Sequence, residues 1–507
     1  YEWYNNIYIN NVMDFDITPY EYIIMGDILE HLSSEDASIF LEKIENNNQK
    51  VLVAVPYEYE QGEHEGNIFE THLQPDLTPE MMKSRYPKLK LLYGDDKYGY
   101  YVNYNLTMKS ILIKEYNNLF KSNKKSKPLK NRFIVTFING SKLEILGKVN
   151  KKYNVKFINQ KTNKIVYETE IKNNHWCSCN FTYFIDHKIL VTDLDSGNTA
   201  FEYKFNATNK KVYVHLASSA LGDTIAWFPY VEEFRKKHQC NLVVSTFHNE
   251  MFESKYPDIK FIKPGVKQFD LYAMYEIGWY YNEDGEINYN RSVSDFRKYG
   301  LQLCSSEALG VDTGEIRPKL TFKNTGSTIE GDYVVIAPHG SAHAKYWNHE
   351  GGWQAVIDHL NDSGYKVVMI TQEPLGDEWH DSKLGGTLTG VIDKTGDHPL
   401  SERANDMMNA KAFIGIGSGL SWLAWALKTP VVMISGFSEA YSEFKDCERV
   451  STPPNNCTGC FNRTVLDAGD WEWCPDHKDT DRMFECTKSI TPHTVINAVH
   501  NQLQKYS

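Results

Sequence analysis

"KVYVHLASSALGDTIAWFPYVEEFRKKH", Lys211 to His238, decides the fold. It opens with an apolar, β-branched run that reads as a strand. Two serines and a Leu-Gly-Asp turn follow, and then a longer apolar run with a basic end that reads as a helix. Strand, tight turn and helix open a doubly wound α/β domain. The chain then repeats the pattern. "CNLVVSTF" (240–247), "IKFIKPG" (259–265) and "FDLYAMYEIG" (269–278) read as strands of the same set. A second set starts at "DYVVIAPHG" (332–340) and runs through "YKVVMITQE" (365–373), "AFIGIGSG" (412–419) and "PVVMISG" (430–436), with helical stretches between them. Two such sets predict two Rossmann-like domains, 212–325 and 326–445. Ligands of such pairs bind in the cleft at the strand C-termini.

Outward from that frame, residues 131–211 change character. "RFIVTFING" (132–140) and its neighbours are short β-branched and aromatic runs split by Asn-Gly and Ser-Gly-Asn turns, which predicts a small antiparallel β domain. Cys177 and Cys179 alternate on one of these strands and read as buried thiols rather than metal ligands. The run "KSNKKSKPLKNR" (121–132) reads as a solvated basic linker within 108–130 and its border, with a docking patch as the alternative.

Residues 1–107 read as a partial α/β segment. "EYIIMGDILEHL" (21–32) is strand, turn and helix. "KVLVAVPYEYEQGEHEGN" (50–67) is a strand that runs into a polar loop, and "LKLLYGDDKYGYYVNY" (89–104) has the alternation of a terminal hairpin. Asp27, Glu30 and His31 after the first strand, with Val55-Pro56, give a resemblance to the second half of a class I S-adenosylmethionine-dependent methyltransferase. The glycine-rich half that would hold the cofactor is not in this sequence.

Composition bounds the function. The 507 residues are 41% hydrophobic and 24% charged, and the net charge is −12. An acidic chain is a poor general nucleic-acid binder, because phosphate affinity comes from Lys and Arg. No apolar run is long enough to span a bilayer. The chain begins at Tyr1 without a signal-peptide pattern, so residues are expected to precede it. Nine cysteines with no export signal argue against a disulfide framework and for a reducing cytoplasm.

Three loops carry the chemistry. Asp223 follows Gly222 where the first strand gives way to the helix, beside Ser218 and Ser219. It reads either as a helix N-cap or as a carboxylate at a ligand cleft. Gly417, Ser418 and Gly419, followed by Leu420 and Ser421, form a second strand-to-helix turn, whose N–H groups suit phosphate unless it is a plain tight turn. "IAPHGSAHAKYWN" (336–348) supplies His339 and Lys345; the lysine is either a diphosphate partner or a surface residue.

Near the C-terminus, Cys457, Cys460, Cys474 and Cys486 have the spacing of a four-thiolate tetrahedral site. Spacing alone favours zinc. Cys447 precedes the pattern and is not expected to ligate; His477 is the less favoured substitute.

"LGDTIAW" and "GSGLSWLAWAL" together resemble the heptosyltransferase-type, two-domain GT-B glycosyltransferases. With the β domain, "ISGFSEAYSEF" (434–444) and the cysteine tail, residues 131–507 are similar to the bacterial autotransporter O-heptosyltransferases. The resemblance implies a cytoplasmic homo-oligomeric enzyme that moves heptose from ADP-heptose onto serine or threonine hydroxyls of an autotransporter-like protein. It implies Asp223 as catalytic base. Ser219, Gly222, His339, Lys345 and the 417–421 loop would then serve the nucleotide sugar, and the finger at 446–507 would hold iron. Two other functions stay open: a methyltransferase fused to the transferase, and a non-catalytic sugar-binding scaffold.

Overall fold

The structure is a computed structural model that describes residues 12–62, 71–103, 131–311 and 314–506. Nearly all of the basic run at 121–132 lies outside these residues. The chain divides into two units, Tyr1–Pro128 and Leu129–Ser507.

In the first unit, β1 (Tyr22–Gly26) pairs in parallel with β2 (Lys50–Pro56). The helix Ser34–Asn46 joins them. Ser33 caps that helix by accepting from the Asp36 N–H, and Phe40 and Ile44 bury its apolar face. β3 (Lys90–Gly94) and β4 (Tyr98–Val102) form the expected hairpin. The order is β1-β2-β4-β3, with β4 antiparallel to both neighbours.

The second unit contains both Rossmann-like sheets. In the first, β12 (Lys211–Leu216), β13 (Asn241–Ser245), β14 (Lys260–Ile262) and β15 (Ala273–Ile277) are parallel, in the order β14-β13-β12-β15. The second is parallel throughout: β16 (Tyr333–Ala337), β17 (Lys366–Met369), β18 (Val391–Asp393), β19 (Ala412–Ile416), β20 (Val431–Ser435) and β21 (Glu448–Ser451). Its order is β18-β17-β16-β19-β20-β21, the doubly wound pattern with one reversal between its first and fourth strands. All five residues of β16, β19 and β20 are buried, as expected of strands covered on both faces.

The β domain expected at 131–211 is not a separate body. β5 (Arg132–Ile138) pairs in parallel with β15, through Phe137–Ala273 and Ile138–Met274, and so extends the first Rossmann sheet. β6 (Ser141–Leu146) and β9 (His175–Cys179) continue it outward. β7 (Lys152–Asn159), β8 (Lys164–Lys172), β10 (His187–Asp193) and β11 (Thr199–Lys204) form their own antiparallel sheet. Leu143, Ile145, Val155, Phe157, Ile189 and Val191 fill the space between the two sheets. The result is a sandwich with one sheet shared. Cys177 and Cys179 belong to that core, as read from their alternation.

The helix Leu221–His238 starts at the mouth of β12. Arg235, Lys236, Lys237 and His238 occupy its last turn, where carbonyl dipoles favour positive charge, and Gln239 ends it in a left-handed conformation. Trp227, Phe228, Tyr230, Val231 and Phe234 bury it in the main core. The C-terminal helix Pro492–Lys505 buries Val495, Ala498 and Val499 in the core of the second Rossmann sheet. No helix among the described residues is long and apolar enough to cross a membrane.

Candidate active site

Four strands of the two sheets deliver their following loops to one cleft of about 660 Å3. β12 leads to Asp223, β15 to Trp279, β16 to His339 and Lys345, and β19 to the 417–420 turn. These are the strands flanking the reversal in each sheet, where open α/β sheets bind ligands. Ser219, Gly222, Asp223, His339, Lys345, Gly417, Ser418, Gly419 and Leu420 all line the cleft.

Asp223 is not the helix cap. Ala220 is the N-cap, with no side-chain bond, and Asp223 is the third helical residue. Its Oδ2 accepts a hydrogen bond of 2.9 Å from Trp279 Nε1. Burial pushes the carboxyl above the usual carboxylate range; hydrogen bonds from Ser218 and Trp279 and the charge of Lys345 pull it down without offsetting burial. The helix N-terminus adds favourable positive potential. The result is a carboxylate of raised basicity held in one orientation.

Lys345 Nζ donates to Ser341 Oγ at 2.9 Å and lies 5.5 Å from the centre of the Phe437 ring. Burial lowers its pKa, against the pull of Asp223 and Glu443. It is therefore not a surface lysine. His339 is buried and pushed down to about 4, so it is uncharged near neutrality. Its Nδ1 is 3.1 Å from Thr371 Oγ1, and Nε2 has no partner among the described residues.

The helix Gly419–Ala426 begins at the floor of the cleft with Ser418 as N-cap. Ser418 Oγ is buried and has no hydrogen-bond partner among the described residues. An orphaned hydroxyl beside free helix N–H groups suits a phosphate oxygen. Ser421 departs from the expected set. It is fully buried and its hydroxyl donates to the Ile416 carbonyl, which closes the turn rather than facing the cleft.

Gly222 also serves a purpose that its sequence context did not reveal. A Cβ there would sit 3.0 Å from Trp422 Cδ1 and 3.5 Å from Gly419 Cα. A Cβ on Gly419 would sit 2.9 Å from Leu221 Cβ. The two glycines let the helix N-termini of the two Rossmann domains touch, which brings the Asp223 loop up against the phosphate-type loop.

Sequence reasoning missed Trp279 and Glu443. Trp279 follows β15 by two residues, at the C-terminal end of the strand next to the one that leads to Asp223. Glu443 accepts from Ser438 Oγ at 2.6 Å and pairs with Arg449 at 3.0 Å. It lies in the 434–444 stretch after β20, which carries the resemblance without marking this carboxylate.

Cys457, Cys460 and Cys474 gather in one cluster with Phe437, Trp473 and Phe484, and Cys486 is near enough to feel the charges of Cys457 and Cys474. Gly459, between Cys457 and Cys460, has a left-handed φ of 70° that closes the Cys-x2-Cys knuckle. Burial and neighbouring sulfurs push the Cys460 and Cys486 thiols up to about 12. Arg463 Nη2 lies 3.9 Å from Cys457 Sγ and 3.6 Å from Cys460 Sγ, and would offset thiolate charge. Buried sulfurs that crowd one another, beside a cation, fit a thiolate-bound metal. Asp476 Oδ2, 3.6 Å from Cys457 Sγ, is a further oxygen at this edge that spacing did not reveal. Cys447 stands apart, donating to the Phe444 carbonyl. All nine cysteines are unpaired.

A sequence profile of glycosyltransferase family 9 (heptosyltransferase) matches residues 296–445. The autotransporter heptosyltransferase BAHTCr of Citrobacter rodentium (strain ICC168) is 36% identical over 365 residues, 70% of this chain and 86% of that protein. TibC of Escherichia coli O78:H11 is 35% identical over 363 residues, 69% of this chain and 86% of that protein. The chain belongs to the autotransporter heptosyltransferase family. Its fold is accordingly GT-B, and it is a glycosyltransferase. A crystal structure described as dodecameric iron-containing heptosyltransferase TibC in complex with ADP-D-beta-D-heptose matches with a TM-score of 0.66 and 30% identity, covering 76% of this chain and 100% of that one. Another autotransporter heptosyltransferase relative, BimC of Burkholderia thailandensis, is described as inactive; it is 30% identical over 318 residues, 62% of this chain and 74% of that protein.

Proposed function

We propose that this protein transfers heptose from ADP-heptose to serine or threonine hydroxyls of an autotransporter adhesin. The observation that carries the reading is Asp223, half-buried at the cleft and fixed by Trp279. A hydroxyl is a poor nucleophile near neutral pH, and a carboxylate of raised basicity can take its proton as the sugar is attacked. The acceptor oxygen bonds to the anomeric carbon, the proton goes to Asp223, and the anomeric C–O bond to the diphosphate breaks. In this reading the acceptor displaces the diphosphate directly, so anomeric configuration inverts.

Negative charge grows on the departing diphosphate. Lys345, the Ser418 hydroxyl and the N–H groups at the start of the Gly419–Ala426 helix, which line the cleft, would receive it. A scaffold that only bound sugar would have no use for a buried carboxylate of raised pKa, which costs stability.

Cys457, Cys460, Cys474 and Cys486 would hold iron, as in the relative described as iron-containing. Four thiolates leave no open coordination position, so the iron's contribution is structural. We place the enzyme in the cytoplasm, in keeping with its unpaired cysteines, and assign it a homo-oligomeric assembly like the dodecamer of that relative. For the first unit, the order β1-β2-β4-β3 with its terminal hairpin supports descent from a methyltransferase half-fold.

The test is a transfer assay with ADP-heptose and a purified adhesin passenger domain, read by intact mass. A heptose-sized gain on the passenger supports the reading. ADP-heptose binding with no transfer to any passenger would favour the scaffold.

A further inference from the structure

The first unit holds a group of donors that sugar transfer does not use. β1 ends at Gly26, and Asp27 adopts a left-handed φ of 50°, uncommon for a residue with a side chain. A single turn, Leu29–His31, follows and carries Glu30 and His31 side by side. His72 returns to this turn from the segment before the helix Pro79–Arg85.

Glu30 is only 1% exposed, and neither of its carboxylate oxygens makes a well-formed hydrogen bond among the described residues. A bare buried carboxylate is costly and calls for a partner. Burial pushes this carboxyl up to about 7, helped by the charge of Asp27 and opposed by its own backbone N–H and by His72.

The two imidazoles meet edge to face, with ring centres 4.6 Å apart. His31 Nδ1 is 3.3 Å from the Thr71 carbonyl, and His72 Nδ1 is 2.7 Å from the Tyr59 carbonyl. A carbonyl only accepts, so each Nδ1 carries the proton and each Nε2 keeps its lone pair. Backbone carbonyls orient metal-bound histidines in this way. One ligand atom from each of Glu30, His31 and His72 lies within 4.8 Å of the others.

The scaffold beneath is tied together. The N–H groups of Leu73 and Gln74 both donate to the Glu30 carbonyl, at 2.8 and 3.1 Å. Gln74 Nε2 donates to the carbonyls of Leu29 and Leu32, at 3.0 and 3.1 Å. The His72 segment is thus fixed against the Glu30 turn, which is what a preorganised site needs.

We propose that Glu30, His31 and His72 form a binding site for a divalent transition-metal ion. Two imidazoles and one carboxylate suit ions such as Zn2+, Fe2+, Mn2+ or Co2+, and leave coordination positions for water or a substrate oxygen. The site is separate in chemistry from the cysteine finger, which offers sulfur.

The probe is Co2+, added to the 507-residue chain with its finger metal in place. The expected result is uptake of one further equivalent, with weak visible d–d bands and no thiolate-to-cobalt charge transfer. Glu30→Gln and His72→Gln each weaken that uptake by about tenfold or more, while Cys457→Ser leaves it unchanged. X-ray absorption of the cobalt-loaded wild type, which needs no variant to fold, shows nitrogen and oxygen neighbours with imidazole scattering. No uptake by the wild type, a sulfur-only shell, or unchanged affinity in folded Glu30→Gln and His72→Gln chains overturns the proposal.

Discussion

Trp279 Nε1 lies 2.9 Å from Asp223 Oδ2 and donates to it, tying together residues that follow two neighbouring parallel strands. The indole is itself wedged. It meets Phe296 edge-on at 4.8 Å and Phe461 edge-on at 6.1 Å. Phe461 belongs to the cysteine finger, and it also packs on Phe437, the ring under Lys345. Asp223, Lys345 and the finger are therefore one packed assembly.

Trp279→Phe keeps the ring packing and removes the donor. A hydrogen bond to a charged group is worth about 1.5–3 kcal/mol, so kcat/KM falls by roughly tenfold to a hundredfold. ADP-heptose affinity changes little. The lost bond favours the charged carboxylate, so its removal raises the Asp223 pKa further, and the acid limb of the kcat/KM profile moves to higher pH. An unmoved acid limb would separate Trp279 from the base.

Gly419→Ala places a Cβ 2.9 Å from Leu221 Cβ and 3.2 Å from the Gly222 nitrogen. Neither neighbour is the free end of a flexible chain. Overpacking of this kind costs about 1–3 kcal/mol. The melting temperature falls, and transfer falls with it because the two domain helices are pushed apart. A variant with wild-type melting and rate would show that the junction has slack.

The histidines set an acid limit. His187, His238 and His339 are each pushed down to about 4 by burial, from an ordinary value of 6.5. Between those values the unfolded chain binds more protons than the folded one. Their contribution is therefore complete above about pH 6.5 and is lost as pH falls toward 4. The denaturant midpoint at about pH 5 should be clearly below that at about pH 7. Equal midpoints would mean that these rings are hydrated.

Much of this was legible in the chain. Lys211–His238 contains a strand, a turn and a helix whose patterns agree, and both Rossmann sheets followed from its repetition. The Cys-x2-Cys spacing pointed to the finger. What escaped was set by partners distant in sequence. Nothing in "RFIVTFI" says that Phe137 will pair with Ala273 and join the Rossmann sheet, since strand pairing between remote segments leaves no local mark. In the sequence Asp223 could be a helix cap or a cleft carboxylate; the structure makes Ala220 the N-cap and brings Trp279, 56 residues away, onto the Asp223 carboxylate. Ser421 fitted the loop motif, but helix phase turned its hydroxyl inward to Ile416.

Cys486→Ser tests the finger. Cys486 is buried against Gly436, where the finger meets the end of β20. Its loss should release the metal and lower the melting temperature. Because Phe461 packs on Trp279, kcat should fall along with stability while acceptor-free ADP-heptose binding persists in the folded fraction. Retention of the metal and full stability would rule out the four-thiolate assignment.

Asp223→Asn tests the central claim most directly. The amide keeps the shape and an oxygen for Trp279, and it removes the base. Burial raises the Asp223 pKa, so the neutral amide should leave stability intact or improved. The measurement is heptose transfer to an adhesin passenger domain, with ADP-heptose binding followed by calorimetry on the same preparation. The account predicts donor binding close to wild type and a loss of transfer of about a hundredfold to ten-thousandfold, the usual worth of a positioned general base. Transfer at the wild-type rate by a folded, donor-binding Asp223→Asn chain would contradict it.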